Sequence, residues 1–146
     1  MGLTPMHASR STVLIGRRYL EHGFLDVAMR LFVRNAAQVE KRDWNRLVHA
    51  LMDRHRIADA VRACEIGRVP LPCARLLALG DEHLRRNDFD GAIHLYELGD
   101  ADQERWARVI DLLTARPDQE RRAIVLAERY LVSEAPKVEQ RLAVAN

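Results

Sequence analysis

Three segments of this chain repeat at one fixed spacing, and that period constrains the fold more than any other feature of the sequence. IGRRYLEHGFLDVAMRLFVRN from Ile15, LVHALMDRHRIADAVRACEIG from Leu47 and LGDEHLRRNDFDGAIHLYELG from Leu79 align without gaps, 32 residues apart both times. Ala28, Ala60 and Ala92 coincide, and Phe32, Cys64 and Tyr96 follow four residues later. Ile15, Leu47 and Leu79 also match, each followed by a crossing position held by Gly16, Val48 or Gly80. A fourth, weaker copy places Ala123 31 residues after Ala92. A unit this short cannot bury its apolar face alone, so neighbouring copies must stack to form a core.

Each copy reads as two amphipathic helices joined by a short turn. In the first, Val13, Ile15, Leu20, Leu25, Ala28, Leu31 and Phe32 recur at helical spacing. Gly23, His55 and Asn87 hold the equivalent turn position, where a helix C-terminus favours positive φ. Asp26, Asp59 and Asp90 fall near the start of each second helix, a position that unpaired amides and the helix dipole favour for a carboxylate. Pro117 stops a helix at the fourth turn. The pattern predicts eight helices at about 11–22, 24–36, 41–54, 57–67, 72–87, 89–98, 103–115 and 118–132. The fold class is all-α, with a 1–10 extension, a 11–132 repeat domain (hairpins 11–36, 41–67, 72–98 and 103–132), and a 133–146 tail or short capping helix. Gly16, Gly80 and the aligned alanines are expected where paired helices cross most closely, and Phe32 and Tyr96 between one hairpin and the next.

These spacings resemble the tetratricopeptide repeat. The first copy carries Ile15-Gly16, Tyr19, Gly23, Ala28 and Phe32, with Thr12 in the tryptophan place. The second carries Trp44, Leu47, Leu51, Ala60 and Pro72, with Val48 for Gly and Cys64 for Phe. The third carries Leu79-Gly80, Phe89, Ala92 and Tyr96, with His83 for Tyr. In the fourth, Trp106 lies one residue out of register with Ala123, and Ala127 replaces the Phe. The resemblance covers about residues 11–132 and implies a right-handed superhelical stack of about four antiparallel hairpins, an α-solenoid.

The resemblance also implies a concave wall built from the first helix of each hairpin. Carried over by alignment, that wall includes Arg10, Val13, Arg17 and Leu20, then Arg42, Asn45, His49 and Met52. It continues through Leu77, Asp81, Leu84 and Arg85 to Arg105, Arg108 and Leu112. Arginines beside apolar residues suit an acidic or amphipathic peptide or helix of a protein partner. The expected function is therefore an interaction scaffold or adaptor. The family's carboxylate clamp for a chaperone tail is not met, because its places hold Val13, Arg17, Arg46, Ala74 and Ala78.

Charge and composition set the alternatives. Counting Arg, Lys, Asp and Glu gives +5 over residues 1–71 and −3 over residues 72–146. Arg10, Arg17, Arg18, Arg30, Arg34, Arg42 and Arg46 could support helical-repeat nucleic-acid binding electrostatically. Aligned Arg17, His49 and Asp81 differ, however, and base-reading repeats set like side chains alike. The acidic third hairpin also breaks a basic track, which argues against nucleic acid. Self-assembly into a homo-oligomer and a secretion-type chaperone are the other readings. No His pair has i, i+4 ligand spacing, and no phosphate loop, nucleophile elbow or zinc signature occurs, so neither metal, cofactor nor enzyme activity is expected. Cys64 and Cys73 are expected as packed thiols and not as a disulfide. The opening MGLTPMHASRSTVLIGRRYL has no continuous apolar run before a cleavage site, and no stretch approaches the ~20 residues of a membrane span. A cytoplasmic setting is expected.

Overall fold

In a computed structural model, the backbone is described from Pro5 to Leu131 and side chains from Arg10 to Leu131. The described residues form eight α-helices and no strand. They are α1 (Pro5–Glu21), α2 (Leu25–Arg34), α3 (Lys41–Asp53), α4 (Ile57–Gly67), α5 (Cys73–Arg85), α6 (Phe89–Gly99), α7 (Gln103–Thr114) and α8 (Glu120–Tyr130). Short 3-10 turns at Ala36–Gln38 and Pro117–Gln119 precede α3 and α8. The predicted helices are all present, with ends shifted by a few residues. The largest shift is at α1, which begins at Pro5 and not at residue 11; a proline suits a first turn because the amide it lacks would have no helical acceptor there. No helix among the described residues is long and apolar enough to cross a membrane. The 133–146 tail lies outside the described residues.

The turns follow the aligned positions. Gly23, His55 and Asn87 all take positive φ, at 82°, 59° and 61°. A second set was not legible: Arg68 and Asp100 cap α4 and α6 in the left-handed region, with φ of 53° and 54°. The fourth turn has no such residue; Pro117 starts its 3-10 turn instead.

The chain divides into two compact units, Met1–Leu71 and Pro72–Asn146. The first unit holds the α1/α2 and α3/α4 hairpins, with α2 packed on α3. Its centre is Phe32, Trp44, Leu47 and Leu51, all at most 1% exposed. Phe32 meets Trp44 edge to face at 5.8 Å between ring centroids. Phe32 also occupies the space above Gly16: a Cβ built there would come within 2.7 Å of its ring. Glycine is needed because the ring of α2 lies against the α1 backbone.

The second unit repeats the device. Tyr96 meets Trp106 edge to face at 5.8 Å, and a Cβ on Gly80 would sit 2.5 Å from the Tyr96 ring. Leu84, Phe89, Ala92, Ile93, Val109, Leu113, Ala123 and Leu126 complete its core. Tyr130 stacks flat on Trp106 at 3.8 Å, while the Gln103 side-chain amide donates to the Tyr130 carbonyl. The crossing positions compensate in size along the chain. Gly16 opposes the Phe32 ring and Gly80 the Tyr96 ring. A small residue on one helix goes with a large one on the other, as close packing requires.

Candidate functional site

One face of α1 in the first unit carries adjoining clefts. Arg10, Val13, Leu14, Arg17, Gln38 and Glu40 line a cleft of about 400 Å³. Arg17, Leu20, Glu21, Asp43, Arg46 and Ala50 line a second of about 290 Å³. The first lies between α1 and the segment leading into α3, the second between α1 and α3, and Arg17 lines both. From Arg10 to Glu21 the face runs about 16 Å at ~1.5 Å per helical residue. A third cleft, of about 440 Å³, lies further round α1 among Ser11, Leu14, Ile15, Arg17, Arg18 and Glu21.

Arg17 is the floor of this surface. Its Nε donates to Asp43 Oδ1 at 2.9 Å and its Nη2 to Asp43 Oδ2 at 2.8 Å. Asp43 is fully buried and also accepts from the Glu40 backbone amide, closing a capping box at the start of α3. The Asp43 hydrogen bonds, aided by its charge, hold the Arg17 guanidinium above its ordinary pKa. A guanidinium held by a two-pronged carboxylate contact joins α1 to α3 and is not an open anion clamp.

Arg105 has the same fate in the second unit. Its Nε and Nη2 donate to Asp81 on α5, and its Nη1 donates to Asp102 at 2.7 Å. The Tyr96 hydroxyl donates to Asp81 Oδ1 at 2.5 Å. Burial pushes the Asp81 carboxyl up, but the hydrogen bonds from Arg105 and Tyr96 outweigh it and hold it below the usual range. The Tyr96 hydroxyl is pushed up, first by burial and then by its carboxylate acceptor.

The predicted wall residues therefore fall into three groups. Met52 and Leu84 are 3% and 6% exposed and belong to the core, a correction to their placement on the wall. Val13 is buried with them. Alignment assigns a side, but α3 and α5 turn these two positions into their units. Arg17 and Arg105 are spent on buried or half-buried carboxylates. Arg10, Arg42, Asn45, His49, Arg85 and Arg108 are exposed, and Leu20 is half-buried in the second cleft. Arg108 lies 3.8 Å from Glu104. Arg10, Arg42 and Arg46 make no ion pair among the described residues.

Sequence reasoning missed Leu14, Ile15, Tyr19 and Phe24, which are 38–59% exposed around α1. Helical periodicity assigned Ile15 to the core, and Tyr19 packs only edge to face on Phe24 at 6.0 Å. The signal was present: this first copy has Thr12 where the next has Trp44, so its α1 lacks the aromatic that Phe32 meets on α3. Asp26, Asp59 and Asp90 lie in the first turns of α2, α4 and α6, as expected, and each also makes an ion pair. Asp26 and Asp59 both accept from Arg56, and Asp90 pairs with Arg122, so Asp26 and Asp90 link the second helices of neighbouring hairpins. Cys64 is buried, with its thiol pushed up by desolvation, whereas Cys73 is exposed at the start of α5 and is not the packed thiol expected. Among the described residues, no three His, Cys, Asp or Glu side chains group as metal ligands. No protein-family model, curated protein or solved structure matches this chain.

Proposed function

We propose that the chain is a tetratricopeptide-like interaction module, a stack of helix hairpins whose first unit holds an acidic amphipathic segment of a protein partner. The observation that carries this reading is the α1–α3 face. It offers two adjoining clefts, with apolar Leu14 and Leu20 among their lining residues, and the guanidinium groups of Arg10 and Arg46, which make no ion pair among the described residues. A helix of about three turns matches the ~16 Å length, since each turn rises ~5.4 Å. Its apolar side chains would enter beside Leu14 and Leu20, and its carboxylates would meet Arg10 and Arg46. Such rim charges act chiefly on orientation and encounter rate, so binding should weaken as salt rises. This is a binding role and not a catalytic one, in a cytoplasmic setting. The second unit, with Arg105 consumed and Leu84 buried, is the supporting half.

Fluorescence anisotropy with three labelled peptides tests the proposal: an acidic amphipathic helix, its basic counterpart and a scrambled acidic control. The acidic amphipathic peptide should bind the wild type and lose binding to an Arg10→Glu, Arg46→Glu variant that retains its helical circular dichroism. Equal binding of all three peptides, or no loss in the variant, would overturn the groove reading.

A further inference from the structure

The exposed apolar side chains are not spread evenly along the repeats. Leu14, Ile15, Tyr19 and Phe24 lie on the first hairpin, and Leu112, Ile124 and Val125 on the last; no other large hydrophobic among the described residues is as exposed. Their repeat positions explain why. Ile15 and Tyr19 align with Leu47 and Leu51 on α3, both 0% exposed where the second hairpin receives the first. Ile124 aligns with Ile93 on α6, 7% exposed in the core with Trp106 and Val109. The first hairpin thus carries the receiving half of the hairpin-to-hairpin contact and the last carries the giving half, each without its counterpart among the described residues.

We infer that a second copy of this chain supplies the counterpart, so that α1 of one molecule packs on the α7/α8 hairpin of the next, head to tail. The polar positions of the internal contact support this occupant. Inside each unit, a carboxylate on one hairpin reaches an arginine at the start of the next hairpin's second helix: Asp26 to Arg56, and Asp90 to Arg122. At the open ends the aligned residues are Arg121 and Phe24, and a guanidinium over a phenyl ring is an attractive replacement. Asp111, on the equivalent face of α7, would meet Ser11 and Arg10 of the next copy. The charged pairs of the internal contact are thus replaced by pairs that remain complementary.

The contact is smaller than its internal models. Thr12 stands where Trp44 receives Phe32, and Ala127 stands where Tyr96 meets Trp106, so no edge-to-face aromatic pair forms. Association is therefore weak and concentration-dependent. It uses the Ile15–Tyr19 side of α1 and does not depend on the peptide reading of the α1–α3 clefts.

Sedimentation velocity on the full chain tests it, with Ile15→Asp and Ile124→Asp as single variants at exposed sites and circular dichroism as the control for folding. Wild type should gain mass with concentration, while each variant alone should remain a monomer because one of its two ends is blocked. An equimolar mixture of the variants should form a heterodimer and nothing larger, since one supplies an intact first hairpin and the other an intact last one. A wild type that stays monomeric at its solubility limit would overturn the inference, whether another chain or residues 132–146 cover these faces. Wild-type association with no heterodimer in the mixture would overturn it equally, because the contact would then not be head to tail.

Discussion

The two units solve the same packing problem with opposite charges. In the first, an arginine on the first helix reaches the aspartate just before Trp44; in the second, an aspartate on the first helix reaches the arginine just before Trp106. The aromatic beneath follows the change. Where the first helix offers a carboxylate, Tyr96 donates its hydroxyl to it; where it offers a guanidinium, which accepts nothing, the ring is Phe32. The comparison teaches that the fold demands a half-buried ion pair between alternate helices and is indifferent to its direction. A third residue then adjusts so that no polar group is left without a partner.

The comparison can be broken most severely at Asp43. Replacing it with alanine leaves Arg17 without its carboxylate and removes the capping box, at a cost of about 3 kcal/mol, the lower end for a buried pair because Arg17 remains partly exposed. Denaturant unfolding of the Trp106→Phe background, in which Trp44 is the reporter, measures it for the first unit. If direction is truly indifferent, Arg17→Asp with Asp43→Arg should recover ~1 kcal/mol or more of the loss, within the usual range for coupled pairs. No recovery would mean that the orientation is fixed by the capping box.

Tyr96→Phe tests the adjusted third residue. It removes one donor from Asp81 and should destabilise the second unit by about 1 kcal/mol. The reverse change, Phe32→Tyr, should gain nothing, because Arg17 cannot accept its proton. A stabilising Phe32→Tyr would refute the account of why the two rings differ.

Acid should weaken the second unit through Asp81. The Asp81 pKa is lower folded than unfolded, so its contribution is fully present above the ordinary aspartate value near ~3.9 and is lost as pH falls through the folded value. Asp102, held low chiefly by its hydrogen bond from Arg105, acts in the same direction. Asp81→Asn should therefore flatten the fall in second-unit stability below about pH 4, read from Trp106 fluorescence in a Trp44→Phe background. An unchanged acid limb would show that Arg105 does not stabilise the ionised carboxylate. The smallest stability change belongs to Arg10→Glu with Arg46→Glu, each exposed and without an ion pair among the described residues, which should shift stability by no more than ~0.5 kcal/mol while abolishing peptide binding.

Much of the fold was legible because its causes are local. A 32-residue period with helical spacing inside each copy identifies the hairpins, and Gly23, His55 and Asn87 mark turns through backbone freedom that few residue types share. Less of the site was legible. Arg17 and Arg105 read as free groove arginines because a charge on a helix face looks the same whether or not a carboxylate lies across from it. Asp43 is 26 residues from Arg17, and nothing local to either position announces the other.

The sequence by itself determined the helices and their turns, since period and φ preference are properties of residues and their near neighbours. Only the tertiary structure decided which side of each helix is covered. Met52 and Leu84 are enclosed, whereas Ile15 and Ile124 are open, although all four sit on apolar stripes. Burial depends on whether another hairpin arrives at that face, and a repeating pattern writes the same stripe on the first and last copies as on those between them.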